Sequence, residues 1–265
     1  HGGELSLDHV FLLDNPGKAM GGDEALLAMT DSLVTRCDTG GEFDKSSVEI
    51  RNSHFLEMPS ADGEAVDDDN DGIYLHLPHP SLSSDETSAL IEGCVFAVGK
   101  DDGIDHNGAR VRVSDSFIEG FHNEGIACSN KNGLEVSNTL ITGCAQGIEA
   151  GYGSPEVTVD HCTLVDNGVG IRLGDSYDDP IKGTITVTSS ISVQNGEHNV
   201  WNFSHQVNGP LPGQISITHS MVDDPMFDGT NGNLPGLPQF DESYHLLEGS
   251  PGKNAASDGL DVGLL

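Results

Sequence analysis

Positive charge is what this chain has least of. Eleven Lys+Arg stand against 43 Asp+Glu, a formal net charge of -32 over 265 residues. That balance repels nucleic-acid phosphates and anionic membrane surfaces, so neither is expected as a partner. Aromatic residues make up only 5% of the chain, too few for a broad aromatic platform. Long apolar runs are missing too: none approaches the ~20 residues of a membrane-crossing helix, so membrane insertion is not expected. No basic stretch followed by an apolar run opens the sequence, which is expected to begin after a removed signal or inside a longer protein. The cysteines Cys37, Cys94, Cys128, Cys144 and Cys162 include no CxxC pair, and their odd number cannot close entirely into internal bridges. They are expected mainly as buried filler. The excess of carboxylates suits a secreted protein in a cation-rich or salty medium, where counterions screen the self-repulsion.

What the chain does have is a repeat. The segments "LSLDHVFL" (5), "LAMTDSLV" (27), "VEIRNSHF" (48), "ALIEGCVF" (89), "VRVSDSFI" (111), "LEVSNTLI" (134), "VTVDHCTL" (157), "ITVTSSIS" (185) and "ISITHSMV" (215) share one pattern. Two apolar residues alternate with a spacer, and a small or apolar anchor follows: Val10, Ser32, Ser53, Cys94, Ser116, Thr139, Cys162, Ser190 and Ser220. The anchors are separated by 22, 21, 41, 22, 23, 23, 28 and 30 residues, which is a solenoid period. Gly-Ile recurs in phase at Gly72, Gly103, Gly125, Gly147 and Gly170. Two short strand signals per coil, Asn/Gly/Asp turns and almost no helical periodicity predict an all-β parallel β-helix of roughly nine coils. Val113, Val136 and Val159 should form one buried ladder and Ile104, Ile126, Ile148 and Ile171 another. Asn167 and Asn195 should stack at equivalent turns. Residues 1–265 read as one domain, with acidic loop insertions in the coil 53–94 and a closing segment at 221–265.

The chemistry gathers around "VGKDDGIDHNGARVRVSDSF". The residues before each glycine place Asp71, Asp102 and Glu124 on successive coils, with Asp101 and Asp105 beside them. Carboxylates stacked this closely call for a cation or raised pKa values. A hard cation with oxygen ligands, Ca²⁺ before Mg²⁺, is the expectation. "DDDNDG" adds Asp67, Asp69 and Asp71 at the spacing of a calcium loop, though the twelfth position is Pro78 where a bidentate Glu belongs. The other reading is that these acids are solvated edge residues that discourage sheet pairing. Lys100, Arg110, Arg112, Lys131 and Arg172 are the cations available to a lyase-type base, while the alternation of Arg110 and Arg112 with valines marks a solvent face. His76, His79 and His106 could meet in a transition-metal site, and Trp201, Phe203, Tyr152 and Tyr177 could stack on sugar rings.

The run from Asp101 to Arg172 resembles the right-handed parallel β-helix repeat superfamily, and within it the β-helical regions of bacterial extracellular spore-coat-H-kinase-type proteins. The tail "DDPMFDGTNGNLPGLPQFDESYHLLEGSPGKNAASDGLDVGLL" is similar to segments that close such secreted proteins. The resemblance implies a right-handed solenoid and an extracellular setting, but no single activity, because the superfamily holds lyases, hydrolases, epimerases and surface modules. "DND", "DDG" and "NEG" also look similar to the acid pattern of polygalacturonase-type pectin hydrolases. That likeness implies Asp71, Asp101 and Asp102 as catalytic acids, with Glu124 standing where the family has histidine. The leading expectation is a secreted, non-catalytic, calcium-binding module that contacts polysaccharide or extracellular matrix, as a monomer or part of a larger chain. The alternatives are a polysaccharide lyase or glycoside hydrolase working through Asp71, Asp101, Asp102 and Glu124, and a filament-forming structural solenoid.

Overall fold

A computed structural model describes residues 2–58, 70–83, 85–175, 183–203 and 214–265. Among the described residues each of the first eight coils contributes strands to three parallel faces, and the ninth to the first two. The first face runs from Glu4–Asp8 to Gln214–Thr218, the second from Phe11–Leu13 to Met221–Val222, and the third from Gly21–Asp23 to His198–Asn202. The second face is a nine-stranded sheet in coil order. The other two are joined by the ten-residue strand Glu42–Arg51, whose first half pairs on the third face and whose second half pairs on the first. This is a right-handed parallel β-helix of nine coils. One expectation needs correcting: among the described residues the first eight coils carry three strands each, where two signals were legible. "VRVSDSFI" holds two of them, Val111–Ser114 and the start of Phe117–Phe121, because the chain bends sharply between them.

The bend has a local cause. Asp115, Asn138, His161, Ser189 and their counterparts adopt positive φ, the left-handed turn that Asn, Asp and His tolerate better than most residues. The next residue is the anchor, turned inward. Ser116 Oγ donates to its own coil at Ser114 O (2.7 Å) and accepts from Cys94 N of the preceding coil (3.1 Å). Ser190 does the same for Thr188 O and Cys162 N, and Ser220 for Thr218 O and Ser190 N. Thiols substitute: Cys94 and Cys162 point at the carbonyls of Glu92 and Asp160, each at 3.3 Å. All five cysteines are free and buried.

Inside, like stacks on like. Val113, Val136 and Val159 are in register and buried, as are Ile104, Ile126, Ile148 and Ile171. Phe55 and Phe96 stack face to face at 4.7 Å. Asn167 donates to Asn195 Oδ1 (3.1 Å) and itself accepts from Cys144 N, which closes the turn ladder expected there. At the C-terminal end Leu234 pairs with Met221 as a last fragment of coil. The segment beyond then packs Leu246, Ala256 and Val262 against Ile191, Val193 and Met221.

Replacing Ser116 by Ala removes both of its bonds and leaves the buried Cys94 N–H without that acceptor. The expected loss is ~1–3 kcal/mol in urea unfolding, with Ser116→Cys losing less because the thiol keeps a donor. Equal stability of both variants and the parent would show that the hydroxyl ladder contributes nothing.

Candidate functional site

The Gly-Ile repeat places the site. At Gly103 an added Cβ would lie 2.6 Å from the carbonyl oxygen of Gly125, and at Gly125 it would lie 2.8 Å from that of Gly147. Neighbouring coils approach too closely there for any other residue. Each glycine ties down the residue before it, so Asp71, Asp102, Glu124 and Gln146 form one column. Asp71 Oδ1 accepts from Asp102 N (3.1 Å), Asp102 Oδ1 accepts from Glu124 N (2.7 Å), and Gln146 donates to Glu124. Beside it runs a second ladder, in which Asn70 donates to Asp38 (2.6 Å) and Asn123 to Asp101.

Strand alternation then decides what faces out. The residue after each Gly-Ile pair points to solvent on the third face, giving the in-register series Tyr74, Asp105, Ala127, Glu149, Arg172, Trp201. Ala127 is the smallest of these, and a trough of ≈ 430 Å³ opens over it. Its walls include Asp101, Asp102, Asp105, Asn107, Glu124, Ser129, Glu149, Tyr152, Arg172 and Asp175. Tyr152 is held in place by the Asn107 amide, which donates to its hydroxyl at 2.5 Å.

Six of those walls are carboxyls and one is a cation. Arg172 donates to Gln146 Oε1 (2.9 Å), lies 3.1 Å from Glu149 Oε2, and covers the rings of Phe203 (4.5 Å) and Trp201 (5.5 Å). One guanidinium does not offset the crowding. Burial, then the charges of Glu124, Asp71 and Asp105, push Asp102 well above the carboxylate range. Burial and Glu124 push Glu149 up to about 9, against the opposing pull of Arg172. Although the Arg172–Glu149 contact has ion-pair geometry, the loss of water and the second carboxyl outweigh it and hold Glu149 above the usual carboxylate range. The trough can therefore donate protons from two carboxyls, or exchange those protons for a cation.

Of the residues singled out in the sequence, Asp101, Asp102, Asp105 and Glu124 line the trough together. Asp71 belongs to the column but not to the walls; it is 3% exposed. Asp67, Asp69 and Tyr177 lie outside the described residues. Arg172 is the one cation of the five in the trough. Arg110 and Arg112 pair with Glu135 on the first face, and Lys100 lines a separate depression with His122. The three histidines do not meet: His76 pairs with Asp44 (2.9 Å), His79 bonds Ser81, and His106 sits inside the core in register with Leu75 and Cys128, where burial lowers its pKa to about 4. Among the described residues, only Asp8, His9 and Asp31, exposed on the first two coils, bring three such ligand atoms within 4.8 Å of one another. Glu149 and Asp175 went unnoticed in the sequence. Glu149 was nonetheless legible, since it follows Gly147-Ile148 as Asp105 follows Gly103-Ile104.

The family model for right-handed β-helix regions matches residues 38–209. No curated protein matches the sequence. Among solved structures, the chain is similar to a pectate lyase at 14% identity, covering 91% of this chain and 67% of that one with a TM-score of 0.52. It is also similar to a periplasmic alginate epimerase at 14% identity and a TM-score of 0.49. That match covers 73% of this chain and 49% of the epimerase, so it spans about half the epimerase's length.

Glu149 also makes a pH prediction. Folding raises its pKa from 4.5 to about 9, so between those values the folded protein holds a proton that the unfolded chain has released. Its contribution to stability is full below the unfolded value and is lost as pH rises toward 9. In chelator, Glu149→Gln should gain on the parent by ~1 kcal/mol or more between pH 5 and pH 8.5 in urea melts. Parallel stability profiles would mean that Glu149 stays ionised.

Proposed function

The chain belongs to the right-handed β-helix family, and from that premise we propose that it is an extracytoplasmic module whose trough binds an acidic polysaccharide through Ca²⁺. The observation that carries this reading is the set of six carboxyls gathered around one trough with a single guanidinium as countercharge. A divalent cation removes the repulsion that protons otherwise relieve.

The donors fit such an ion. The trough offers carboxyl, amide and hydroxyl oxygens, with no sulfur or imidazole on its walls, a set that selects a hard cation. Asp101 and Asp102 each hold a neighbouring coil through a carboxyl oxygen, which fixes both carboxyls at the trough wall. Asp105 and Glu124, half-buried at the rim, complete the set by side-chain rotation. An ion held there presents positive charge to a uronate carboxylate, which the net charge of -32 would otherwise turn away. Arg172 and Trp201, next along the same outward series, extend the contact along the solenoid axis. Asp67 and Asp69 are proposed as further ligands from the adjoining loop. The narrower likeness to spore-coat-H-type proteins supports a place within a larger extracellular chain, and the described residues contain no helix long and apolar enough to cross a membrane.

A second reading is glycan cleavage, which one observation favours: Glu149 and Asp102, whose burial pushes their pKa values upward, share the trough with Asp105 and Glu124, an arrangement able to supply a proton donor and a base. In this reading Glu149 joins the acids Asp101, Asp102 and Glu124 put forward from the sequence, while Asp71 lies buried in the column behind the trough walls.

Calorimetry with Ca²⁺ decides between them. Ca²⁺ should bind more tightly at pH 8 than at pH 5.5, because bound protons compete, and Asp102→Asn should weaken it ~10-fold or more while keeping the acceptor for Glu124 N. Polygalacturonate should bind only with Ca²⁺ present, without release of new chain ends. Polymer binding that is indifferent to Ca²⁺ overturns the proposal, and chain-end release lost in Glu149→Gln establishes the enzyme.

A further inference from the structure

On the outer side of the second face Phe11, Leu33, Val95, Phe117 and Leu140 belong to one in-register series that His54 and Thr163 interrupt, and among the described residues it is covered at one end. Ile191 and Met221 are buried under the C-terminal segment. Toward the other end Phe11 is 70% exposed, and Leu33, Val95 and Phe117 are half-buried. Apolar side chains left open in groups beside acidic ones are a mark of an interaction surface.

The covering segment shows how an extended chain lies on this face. Gly263 N donates to Ser189 O (2.7 Å), Leu264 N to Thr163 Oγ1 (3.1 Å), and Leu265 N to Asn138 Oδ1 (2.8 Å). Three consecutive residues thus step across three consecutive coils toward the first one. The column of left-handed turn residues that supplies Asn138 continues through Asp115, Gly93, Asn52 and Asp31; Asp115, Asn52 and Asp31 are exposed and bear acceptor oxygens, and Gly93 leaves a gap between them. Alongside them lie two depressions. One, of ≈ 460 Å³, is walled by Val95, Phe117 and Leu140 with Asp115 and Glu242; the other, of ≈ 380 Å³, is walled by Phe11, Leu33 and Leu56 with Asp31. Neither has a Lys or Arg on its walls.

We propose that this uncovered stretch is a docking track for an extended, basic polypeptide segment of a partner protein, with apolar residues at alternate positions. An extended chain sends alternate side chains to opposite sides, so apolar ones meet Leu33, Val95 and Phe117 while Lys or Arg lie over Asp31, Asp115 and Glu242. Backbone N–H groups meet the turn acceptors, as Leu265 N meets Asn138 Oδ1. A second copy of this chain is the poorer occupant, because each copy carries -32 and the patch has no basic counterpart of its own.

Fluorescence anisotropy at physiological salt tests the track with three labelled peptides: alternating Leu/Lys, alternating Ser/Lys and alternating Leu/Glu. Leu/Lys should bind, and the other two should bind ~10-fold more weakly or worse. The double variant Val95→Ser/Phe117→Ser should lose the Leu/Lys peptide, Asp115→Asn should weaken it, and Asp102→Asn should leave it unchanged. Hydrogen exchange on the unmodified protein should show protection near residues 93–95 and 115–117, which keeps the test valid if the double variant folds poorly. Equal binding of Ser/Lys, or protection at the trough instead, overturns the proposal. So does a solution dimer that the double variant dissolves, since a second copy would then be the occupant.

Discussion

At the inward bend of the coils a small polar side chain binds two coils at once. Its proton goes to the carbonyl two residues back, and its oxygen takes the backbone N–H of the coil before, as at Ser116, Ser190 and Ser220. Because the bond can form only in one register, it fixes which residues lie above one another. Every column in the molecule inherits that alignment, including the valines and isoleucines of the core and the acids of the trough. The left-handed residue just before the anchor makes the bend possible, and glycine on the third face lets the coils close to contact distance.

The trough follows from this alignment as a problem in charge. A solenoid that stacks like on like inside also stacks like on like outside, so acidic positions on neighbouring coils are forced together. On the first face the conflict is relieved by pairs such as Arg112 with Glu135. On the third face Arg172 alone stands among the carboxyls of the trough, and burial removes the water that would screen them. Asp102 and Glu149 respond by keeping their protons. A fold with 43 acidic residues has many places to be negative; this is where negativity is concentrated in a concave, partly buried site.

The repeat was legible because stacking demands residues of one kind at one spacing, and nothing else in a globular chain produces anchors 22 or 23 residues apart. The ladders of Val113 and Ile104 and the burial of the five cysteines could be read for the same reason. The third strand of each coil could not: strands as short as Leu140–Thr142 offer too few residues for alternation to show. Within the site, Asp102 and Glu124 were visible as neighbours of the recurring glycine. Glu149 belongs to the outward series that follows each Gly-Ile pair, where Tyr74, Asp105, Ala127, Glu149 and Arg172 share no residue type that would mark the column. What no single-coil pattern could reveal is the depth of the trough, which depends on Ala127 being small between Asp105 and Glu149 and on Tyr152 reaching back to Asn107.

The cation is the central claim, and its position is the most direct thing to measure. A crystal structure of the protein grown with Ca²⁺ at pH 8 should show an ion in the trough, bound by oxygens of Asp102, Asp105 and Glu124, with Glu149 drawn toward it or toward Arg172 as its proton leaves. An ion seated instead at Asp8, His9 and Asp31, or none in the trough at saturating Ca²⁺, would contradict the account and leave the buried carboxyls as a proton-holding site.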